Sequence, residues 1–286
     1  MPSKGRMREP SFRLLEEAGM KPLDGDGRKL LVPTSLPGVR VLFVRAMDIP
    51  IYVGRRAADL GICGEDAVRE WGIPTSSAWG INRELVELLQ LDFGACKVAL
   101  AAPQRVKWPQ KEVLAIATAL PRIAEQYCRR NSMGAKIIAL QGALEAAPGL
   151  GLADAIVDQV VTGNTLLENG LRILDVILES RMCLYGNPAS LEVRKAEMDS
   201  VALLARAVIE ARKRVMLRVN AATDMIRDTL AKLLPAMKSA DVSPLAGGGY
   251  ALAAAVPKEG LEDLLVKTRA VGGTGIVVEQ PKLIIP

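Results

Sequence analysis

The sequence predicts an α/β protein of two or three domains that ends in a small α/β sandwich. Its 286 residues are enough for more than one domain of about 150 residues. Short apolar runs alternate with helical patterns up to about residue 179, and the last part follows the order βαββαβ. Half of the residues are hydrophobic and 24% are charged, which is typical of a folded protein.

Strand and helix patterns alternate in the first ninety residues. We predict a strand at residues 39–44, a helix that begins at residues 48–50 and ends near Val53, and a strand at residues 58–64. A second α/β unit runs from about residue 91 to residue 179, with strands at residues 97–102, 113–117, 136–140 and 155–161. This alternation indicates a parallel sheet.

A long helical pattern from Leu191 to about Lys213 separates this part from the C-terminal sandwich. The sandwich is predicted from strands at 215–219, 242–245 and 250–256, helices at 222–234 and 259–271, and extended segments at 276–278 and 283–285. Gly272 and Gly273 follow the last helix, where glycine commonly ends a helix. The order is ferredoxin-like, and such an appended domain often regulates or oligomerises an enzyme.

The composition excludes several kinds of chemistry. The chain has no histidine, which excludes histidine-dependent triads, zinc sites and proton shuttles. Its four cysteines lie far apart, so we expect reduced thiols in a cytoplasmic protein. Neither a signal peptide nor a membrane-spanning run is expected.

The net charge of +5 suits an anionic ligand, although nucleic acid is a poor fit because aromatic residues are only 3% of the chain. The basic cluster at residues 212–214 stands at a predicted helix end, where it complements the helix dipole.

The most informative segment is GLADAIVDQVVTGNTL, residues 151–166. Asp154 and Asp158 bracket three apolar residues, so an extended backbone places both carboxylates on one face. The chain then turns at Thr162–Thr165 before a helix, where hydroxyls and backbone N–H groups form a socket for one phosphate. The two carboxylates are placed to bind the ribose hydroxyls of the same ligand. The alternative is an ordinary strand–loop–helix with surface aspartates.

This segment and several others together resemble the long form of ATP phosphoribosyltransferase. An apolar strand with acidic residues and a T-G-x-T loop is the phosphoribosyl pyrophosphate signature of phosphoribosyltransferases. The matching blocks follow one order over nearly the whole chain: PSKGR (2–6), RAMDIPIYV (45–53), ADLGICGED (58–66), LDFGAC (91–96), QGALEAAP (141–148), residues 151–166 and VSPLA (242–246).

The resemblance implies a two-lobed catalytic body like a type II periplasmic binding protein. Lobe I would comprise residues 1–90 and 180–211, lobe II residues 91–179, and a regulatory ferredoxin-like domain residues 212–286. ATP and phosphoribosyl pyrophosphate would condense, with magnesium, to phosphoribosyl-ATP and pyrophosphate in the first step of histidine biosynthesis. Histidine would be the allosteric inhibitor, and the chain would form dimers and a homohexamer.

The implied reaction suits a protein without histidine. A neutral adenine nitrogen of ATP would attack the anomeric carbon of phosphoribosyl pyrophosphate, so no strong base is needed. Catalysis would depend on positioning the two substrates and on stabilising charge as pyrophosphate leaves. Nearby carboxylates would help an oxocarbenium-like transition state, while magnesium and cationic side chains neutralise the leaving group.

The resemblance also assigns roles to individual residues. Asp154 and Asp158 would be catalytic. The phosphoribosyl pyrophosphate site would comprise Asp154, Ala155, Asp158, Thr162, Gly163, Asn164 and Thr165. The nucleotide site would comprise Lys4, Gly5, Arg6, Arg45, Asp48, Asp59, Gly61, Gly64, Thr118 and Glu145. The effector would contact Asn220 and Asp241.

Some of these residues have structural alternatives. The basic loop at residues 4–6 could be a frayed terminus. Arg45 and Asp48 could be an ion pair at a helix start, and Thr118 and Glu145 could be a helix cap and a surface carboxylate.

The chain departs from the family pattern at several positions. The first strand of the family normally precedes the Lys-Gly-Arg loop, so we expect either an upstream start or a loosely held loop. Cys63, Ala115 and Ala143 stand where threonine, arginine and serine are usual, and each removes a polar contact. In the effector region, Asn220 and Asp241 stand where an acid and a hydroxyl are expected.

Two other functions stay open at this point. A non-catalytic sensor would bind a nucleotide and signal through the C-terminal domain, and turnover with both substrates separates it from an enzyme. A phosphoribosyltransferase for another base would keep the loop and change the acceptor pocket, and a comparison of acceptor bases separates it.

Overall fold

The computed structural model describes residues 1–23, 29–72, 85–109 and 111–285. The chain divides into two compact units: Met1–Phe12 with Pro22–Asp199, and Arg13–Lys21 with Ser200–Pro286. Among the described helices, none combines the length and the apolar character needed to cross a membrane.

The first part of the chain is built from short strands and helices. Its elements are α1 (Arg8–Glu17), β1 (Leu31–Pro33), β2 (Arg40–Leu42), a 3₁₀ turn (Ala46–Asp48), α2 (Ile49–Gly54), β3 (Leu60–Gly64), α3 (Glu65–Glu70) and β4 (Val86–Gln90). The predicted helix at residues 48–53 and the strand at residues 58–64 are confirmed by α2 and β3. Helix α1 was not predicted.

The next part confirms all four strands predicted after residue 91. It contains β5 (Cys96–Pro103), β6 (Val113–Thr118), α4 (Pro121–Arg130), β7 (Gly134–Ala139), a second 3₁₀ turn (Leu144–Ala146), β8 (Ala155–Val160), α5 (Asn164–Glu168), β9 (Leu171–Ser180), β10 (Met182–Gly186), α6 (Pro188–Val193) and α7 (Lys195–Lys213). The predicted single long helix from Leu191 is interrupted at Arg194, which leaves two helices.

These strands form two main sheets in the first unit. The five-stranded sheet has the order β7-β6-β8-β5-β9, with β6 parallel to β7 and β8, and with β5 antiparallel to β8 and β9. The three-stranded sheet has the order β3-β10-β4 and is antiparallel. The expectation of a parallel sheet is therefore wrong for the three-stranded sheet, because β10 returns from the end of β9 and inserts between β3 and β4. In the five-stranded sheet it holds only for β7, β6 and β8, since β5 is antiparallel to both of its neighbours.

Strand β8 is covered by apolar residues on both faces. Ala155 and Val157 pack on the side of α4, whereas Ile156 and Val160 pack on the side of the second 3₁₀ turn and α5. Since side chains alternate along a strand, Asp158 shares the face of Ile156 and Val160. Asp154 precedes β8, so its position on the same face as Asp158 stays a prediction.

The N-terminal loop is held on both sides. The backbone N–H of Val44 donates to the Met1 carbonyl at 3.1 Å, and the N–H of Ser3 donates to the Val44 carbonyl at 2.7 Å. On the other side, Arg8 N–H donates to the carbonyl of Gly5 at 3.2 Å. These bonds attach Met1 and Ser3 to Val44, whereas Lys4, Gly5 and Arg6 between them and α1 are exposed, so the expectation of a loosely held loop stays a prediction.

The second unit ends in the predicted sandwich. Its order is β11 (Arg214–Ala221), α8 (Asp224–Leu233), β12 (Asp241–Pro244), β13 (Tyr250–Pro257), α9 (Leu261–Ala270) and β14 (Thr274–Glu279). The antiparallel strand order β12-β13-β11-β14 confirms the ferredoxin-like arrangement. Residues 283–285 do not form a strand. The expected fold class, an α/β catalytic body followed by a ferredoxin-like domain, is confirmed.

Helix α2 lies directly on β3 because Gly61 has no side chain. A Cβ atom at this position would lie 2.6 Å from the Cγ2 atoms of Ile49 and Val53, which are both buried in the core of the three-stranded sheet. The glycine therefore sets the distance between helix and strand.

We expect Gly61→Ala to lower the free energy of unfolding by about 1–3 kcal/mol, because the added methyl group must displace packed side chains. Urea denaturation measures the change. Gly149→Ala is the matched control, since a Cβ there meets nothing nearer than the Ala146 carbonyl oxygen at 3.6 Å. Equal effects of the two substitutions would contradict the packing role of Gly61.

Candidate functional site

Asp154 binds two groups of the protein through one carboxylate oxygen. Its Oδ2 accepts hydrogen bonds from Ala115 N–H at 2.7 Å and from Lys111 Nζ at 2.9 Å. Burial acts to raise the pKa of Asp154, but these two donors outweigh burial and lower it. Asp154 is therefore a fixed anion at the start of β8.

Asp158 has the opposite electrostatic environment. Its Oδ1 accepts a hydrogen bond from Gln159 N–H at 2.7 Å. Burial, followed by the negative charge of Glu145 on the second 3₁₀ turn, raises the pKa of Asp158 to about 6. The expected nucleotide contact Glu145 and the expected ribose contact Asp158 thus lie in one region.

The loop after β8 is open to solvent. Gly163 has φ of +81° and precedes α5, and Thr162, Asn164 and Thr165 around it are exposed. The first N–H groups of a helix have no partner within the helix. Buried Leu166 anchors the loop to the core of the five-stranded sheet. The loop can therefore present hydroxyl and N–H donors to a phosphate.

The basic N-terminal loop is open to solvent. Lys4, Gly5 and Arg6 are exposed. Burial and the charges of Asp66 and Asp158 raise the pKa of the Cys96 thiol, whereas Arg6 lowers it. Arg6 and Asp158 therefore both contribute to the electrostatic environment of Cys96 at the start of β5.

Arg45 and Asp48 begin the segment that leads to α2. The backbone N–H of Asp48 donates to the carbonyl of Arg45 at 2.9 Å, and the Asp48 side chain does not cap α2. No ion pair between the two side chains is present in the part of the chain that the structure describes. Arg45 is exposed and Asp48 is half-buried.

Three expected nucleotide residues on or before β3 have contacts within the protein. Asp59 pairs with Arg194 at 3.4 Å. The space beside Gly61 is filled by α2, so its close approach is to this helix. A Cβ atom at Gly64 would collide with Asp66 Oδ1 at 2.2 Å. Packing explains the two glycines without a ligand.

Thr118 is fully buried. Its hydroxyl donates to the Val157 carbonyl at 2.6 Å and accepts from Leu120 N–H at 2.9 Å, just before α4. The bond to Val157 uses the single donor of the hydroxyl, so the structure favours the helix-start alternative over a nucleotide contact for this residue.

The two expected effector residues share one face of the four-stranded sheet but do not pair. Asn220 on β11 is opposite Ala251, and Asp241 on β12 is opposite Ala253, so β13 lies between them. Asp241 is exposed.

Lys111 is the main site residue that the sequence reasoning missed. It precedes β6, whose parallel register with β8 matches Ile116 with Ala155. That register places the start of β6 beside Asp154. Predicting this contact would have required the register between β6 and β8, which the sequence alone does not supply.

Comparisons with known proteins agree with the geometry. A family model described as HisG, ATP phosphoribosyltransferase, matches residues 45–207, and a second, HisG C-terminal domain, matches residues 211–280. The ATP phosphoribosyltransferase of Natronomonas pharaonis is 36% identical over 290 residues, which cover 100% of this chain and 99% of that protein. The enzyme of Saccharolobus solfataricus is 35% identical, covering 97% and 94%.

A solved structure shows the same fold over most of the chain. It is the ATP phosphoribosyl transferase (HisG:HisZ) complex from Thermotoga maritima, with 30% identity and a TM-score of 0.65. The match covers 73% of this chain and 96% of that chain.

We expect Asp158→Asn to stabilise the protein at pH 8. Because the pKa of about 6 lies above the ordinary 3.8, the charged carboxylate disfavours the folded state above pH 6, and this cost disappears as the pH falls below 3.8. A gain of about 1 kcal/mol would raise Tm by about 2–4 °C at pH 8 and vanish near pH 3.5. Thermal melting at both pH values measures it.

Asp199→Asn is the control, because Asp199 is exposed and forms an ion pair with exposed Lys195. A loss of Tm on Asp158→Asn at pH 8 would show that burial does not disfavour the charge.

Proposed function

The chain belongs to the ATP phosphoribosyltransferase family, and we propose that β8 with the loop at residues 162–165 is where it binds phosphoribosyl pyrophosphate. The enzyme condenses ATP with phosphoribosyl pyrophosphate to phosphoribosyl-ATP and pyrophosphate, the first step of histidine biosynthesis. The observation that carries the proposal is the placement of two carboxylates and an exposed donor loop at the two ends of one buried strand.

We propose that Asp154 and Asp158 hold the ribose hydroxyls. Asp154 is suited to this role because Lys111 and Ala115 fix its orientation through Oδ2. Asp158 is suited because its charge is poorly compensated, so a hydroxyl donor would stabilise it. Both carboxylates would attract the positive charge that develops on the ribose ring in the transition state.

The ribose phosphate would bind the backbone N–H groups and hydroxyls of Thr162, Gly163, Asn164 and Thr165, at the end of β8 that follows Asp158. A neutral adenine nitrogen carries its own lone pair. The residues therefore need to align it with the anomeric carbon and exclude water, and no side chain needs to remove a proton before attack.

Magnesium is the divalent cation we propose for the reaction. The described ranges contain no group of three or more Cys, Asp or Glu residues that could hold a metal by themselves. We propose that phosphate oxygens of the substrate hold most of the ion, as is usual for Mg²⁺. Bound there, the ion would neutralise the departing pyrophosphate, while Lys4 and Arg6 would supply further positive charge.

We propose that ATP binds across the N-terminal loop and the segment from Arg45 to Asp48, with Glu145 on the opposite side. Residues 1–90 and 180–211 would form lobe I and residues 91–179 lobe II. The three-stranded sheet is built from the first set and the five-stranded sheet lies within residues 96–180, which supports this division.

We further propose that residues 212–286 bind histidine near Asn220 and Asp241, and that the enzyme is a homohexamer built from dimers. The match of the C-terminal family model supports a family-type domain there. The four cysteines are free thiols, which supports a cytoplasmic enzyme.

We expect Thr165→Val to raise the Kd for phosphoribosyl pyrophosphate about tenfold, because one hydrogen bond to a charged phosphate is lost. The Kd for ATP should change less than about twofold. Isothermal titration calorimetry with each substrate alone measures both. Thr229→Val, on exposed α8, is the control. Equal weakening for both substrates would count against the phosphate loop.

We expect histidine at millimolar concentration to lower the initial rate of phosphoribosyl-ATP formation. Asn220→Ala and Asp241→Ala should each raise the half-inhibitory histidine concentration about tenfold, since each removes a polar partner. Absorbance-monitored product formation measures it, with Asp263→Asn as the control in the same domain. Unchanged inhibition in both variants would place the effector elsewhere.

A further inference from the structure

Helix α3 joins the two sheets of the first unit. It follows β3 of the three-stranded sheet without a gap, and it lies against α4 and β9 of the five-stranded part. Two buried carboxylates, Asp66 and Glu70, lie one helical turn apart on it, with exposures of 4% and 8%. Buried carboxylates destabilise a protein unless they are hydrogen-bonded, so their partners define the role of the helix.

Asp66 binds the five-stranded sheet at the beginning of α3. Its Oδ1 accepts a hydrogen bond from Ser180 Oγ at 2.6 Å. The backbone N–H of Asp66 donates to Ser180 Oγ at 3.1 Å. Its Oδ2 accepts from Gln159 Nε2. Ser180 ends β9, where the chain leaves this sheet, and Gln159 follows the proposed catalytic residue Asp158 on β8.

Glu70, at the end of α3, caps helix α4 beside the five-stranded sheet. Its Oε1 accepts from Arg122 N–H and its Oε2 from Ile123 N–H, both at 3.0 Å. Arg122 and Ile123 lie in the first turn of α4, and its N-cap residue Leu120 provides no side-chain cap. The carboxylate therefore satisfies N–H groups that α4 leaves without partners. Burial raises the pKa of Glu70, and these two bonds oppose the rise.

Trp71 extends the same junction to the 3₁₀ turn. Its carbonyl accepts from the Arg122 guanidinium at 2.6 Å, and its Nε1 donates to the carbonyl of Met47. Met47 lies between Arg45 and Asp48, the proposed ATP contacts, and packs against the core around α4. One short helix thus connects the proposed ATP segment, α4 and the neighbour of Asp158.

We propose that Asp66 and Glu70 are positioning residues that set the distance between the two substrate sites. The inference rests on the proposed sites, which lie on different sheets. The adenine nitrogen must meet the anomeric carbon at a near-attack distance, and displacement by about 1 Å lowers the rate of such reactions about a hundredfold. Neither carboxylate contacts a substrate in this scheme. They act by holding α3 against β8, β9 and α4.

The test uses the full chain with Gln159→Leu and Glu70→Gln. Gln159→Leu removes the hydrogen bond to Asp66 from an exposed side chain and leaves the backbone N–H that binds Asp158. Glu70→Gln places an amide against one N–H donor of α4. We expect kcat to fall about tenfold in each variant, while the Kd values for ATP alone and for phosphoribosyl pyrophosphate alone stay within about twofold.

The control is Arg69→Gln, which breaks an exposed ion pair with Glu65 on the same helix at 2.6 Å. Its kcat should equal that of the wild type. Thermal melting monitors folding, and if Glu70→Gln does not fold, Gln159→Leu decides alone.

An unchanged kcat in Gln159→Leu overturns the inference. A Kd for one substrate that rises as much as kcat falls also overturns it, because the residue then belongs to a substrate site. A failure of the proposed site is separate: Thr165→Val would leave the affinity for phosphoribosyl pyrophosphate unchanged, whatever the α3 variants do.

Discussion

The register of β8 against β6 is the constraint on which the site depends. Asp154 and Ala115 exchange two hydrogen bonds of 2.7 Å, one through the backbone N–H of Asp154 and one through its carboxylate. A slip of one residue would move every side chain of β8 to the opposite face. Asp158 would then face α4, and the loop at residues 162–165 would leave its anchor. The carboxylate that we propose for the ribose site thus also fixes the pairing of β8 with β6.

The two aspartates show how a protein without histidine obtains two different carboxylates from one strand. Neighbouring N–H and ammonium donors lower the pKa of Asp154 against the effect of burial, whereas burial and Glu145 raise that of Asp158. One group is a permanent anion that orients, and the other is an anion that gains from a hydrogen-bond donor or a cation. Such a divergence suits a reaction in which positive charge appears on a sugar and negative charge departs.

Local patterns predicted the strands around the site and the ferredoxin-like order, because the alternation of apolar and polar residues and the positions of glycines can be read from neighbouring residues. They could not predict that β10 inserts between β3 and β4 or that Lys111 neighbours Asp154, since both depend on pairing between distant segments. The burial of Thr118 was missed for the same reason: its partner Val157 lies 39 residues away. Ligand contacts of Arg45 and Asp48 stay predictions, because the contacts of these side chains within the protein point neither to a ligand nor against one.

The cap that Glu70 places on α4 also bears on how the chain folds. Residues 91–179 contain a complete five-stranded sheet except for the end of β9, yet their first long helix depends on a carboxylate from outside that range. Synthesised alone, this segment would have uncapped N–H groups on α4 and an unpartnered Gln159 amide. The two sheets therefore acquire their stability together, and the first unit should melt as one cooperative block instead of sheet by sheet.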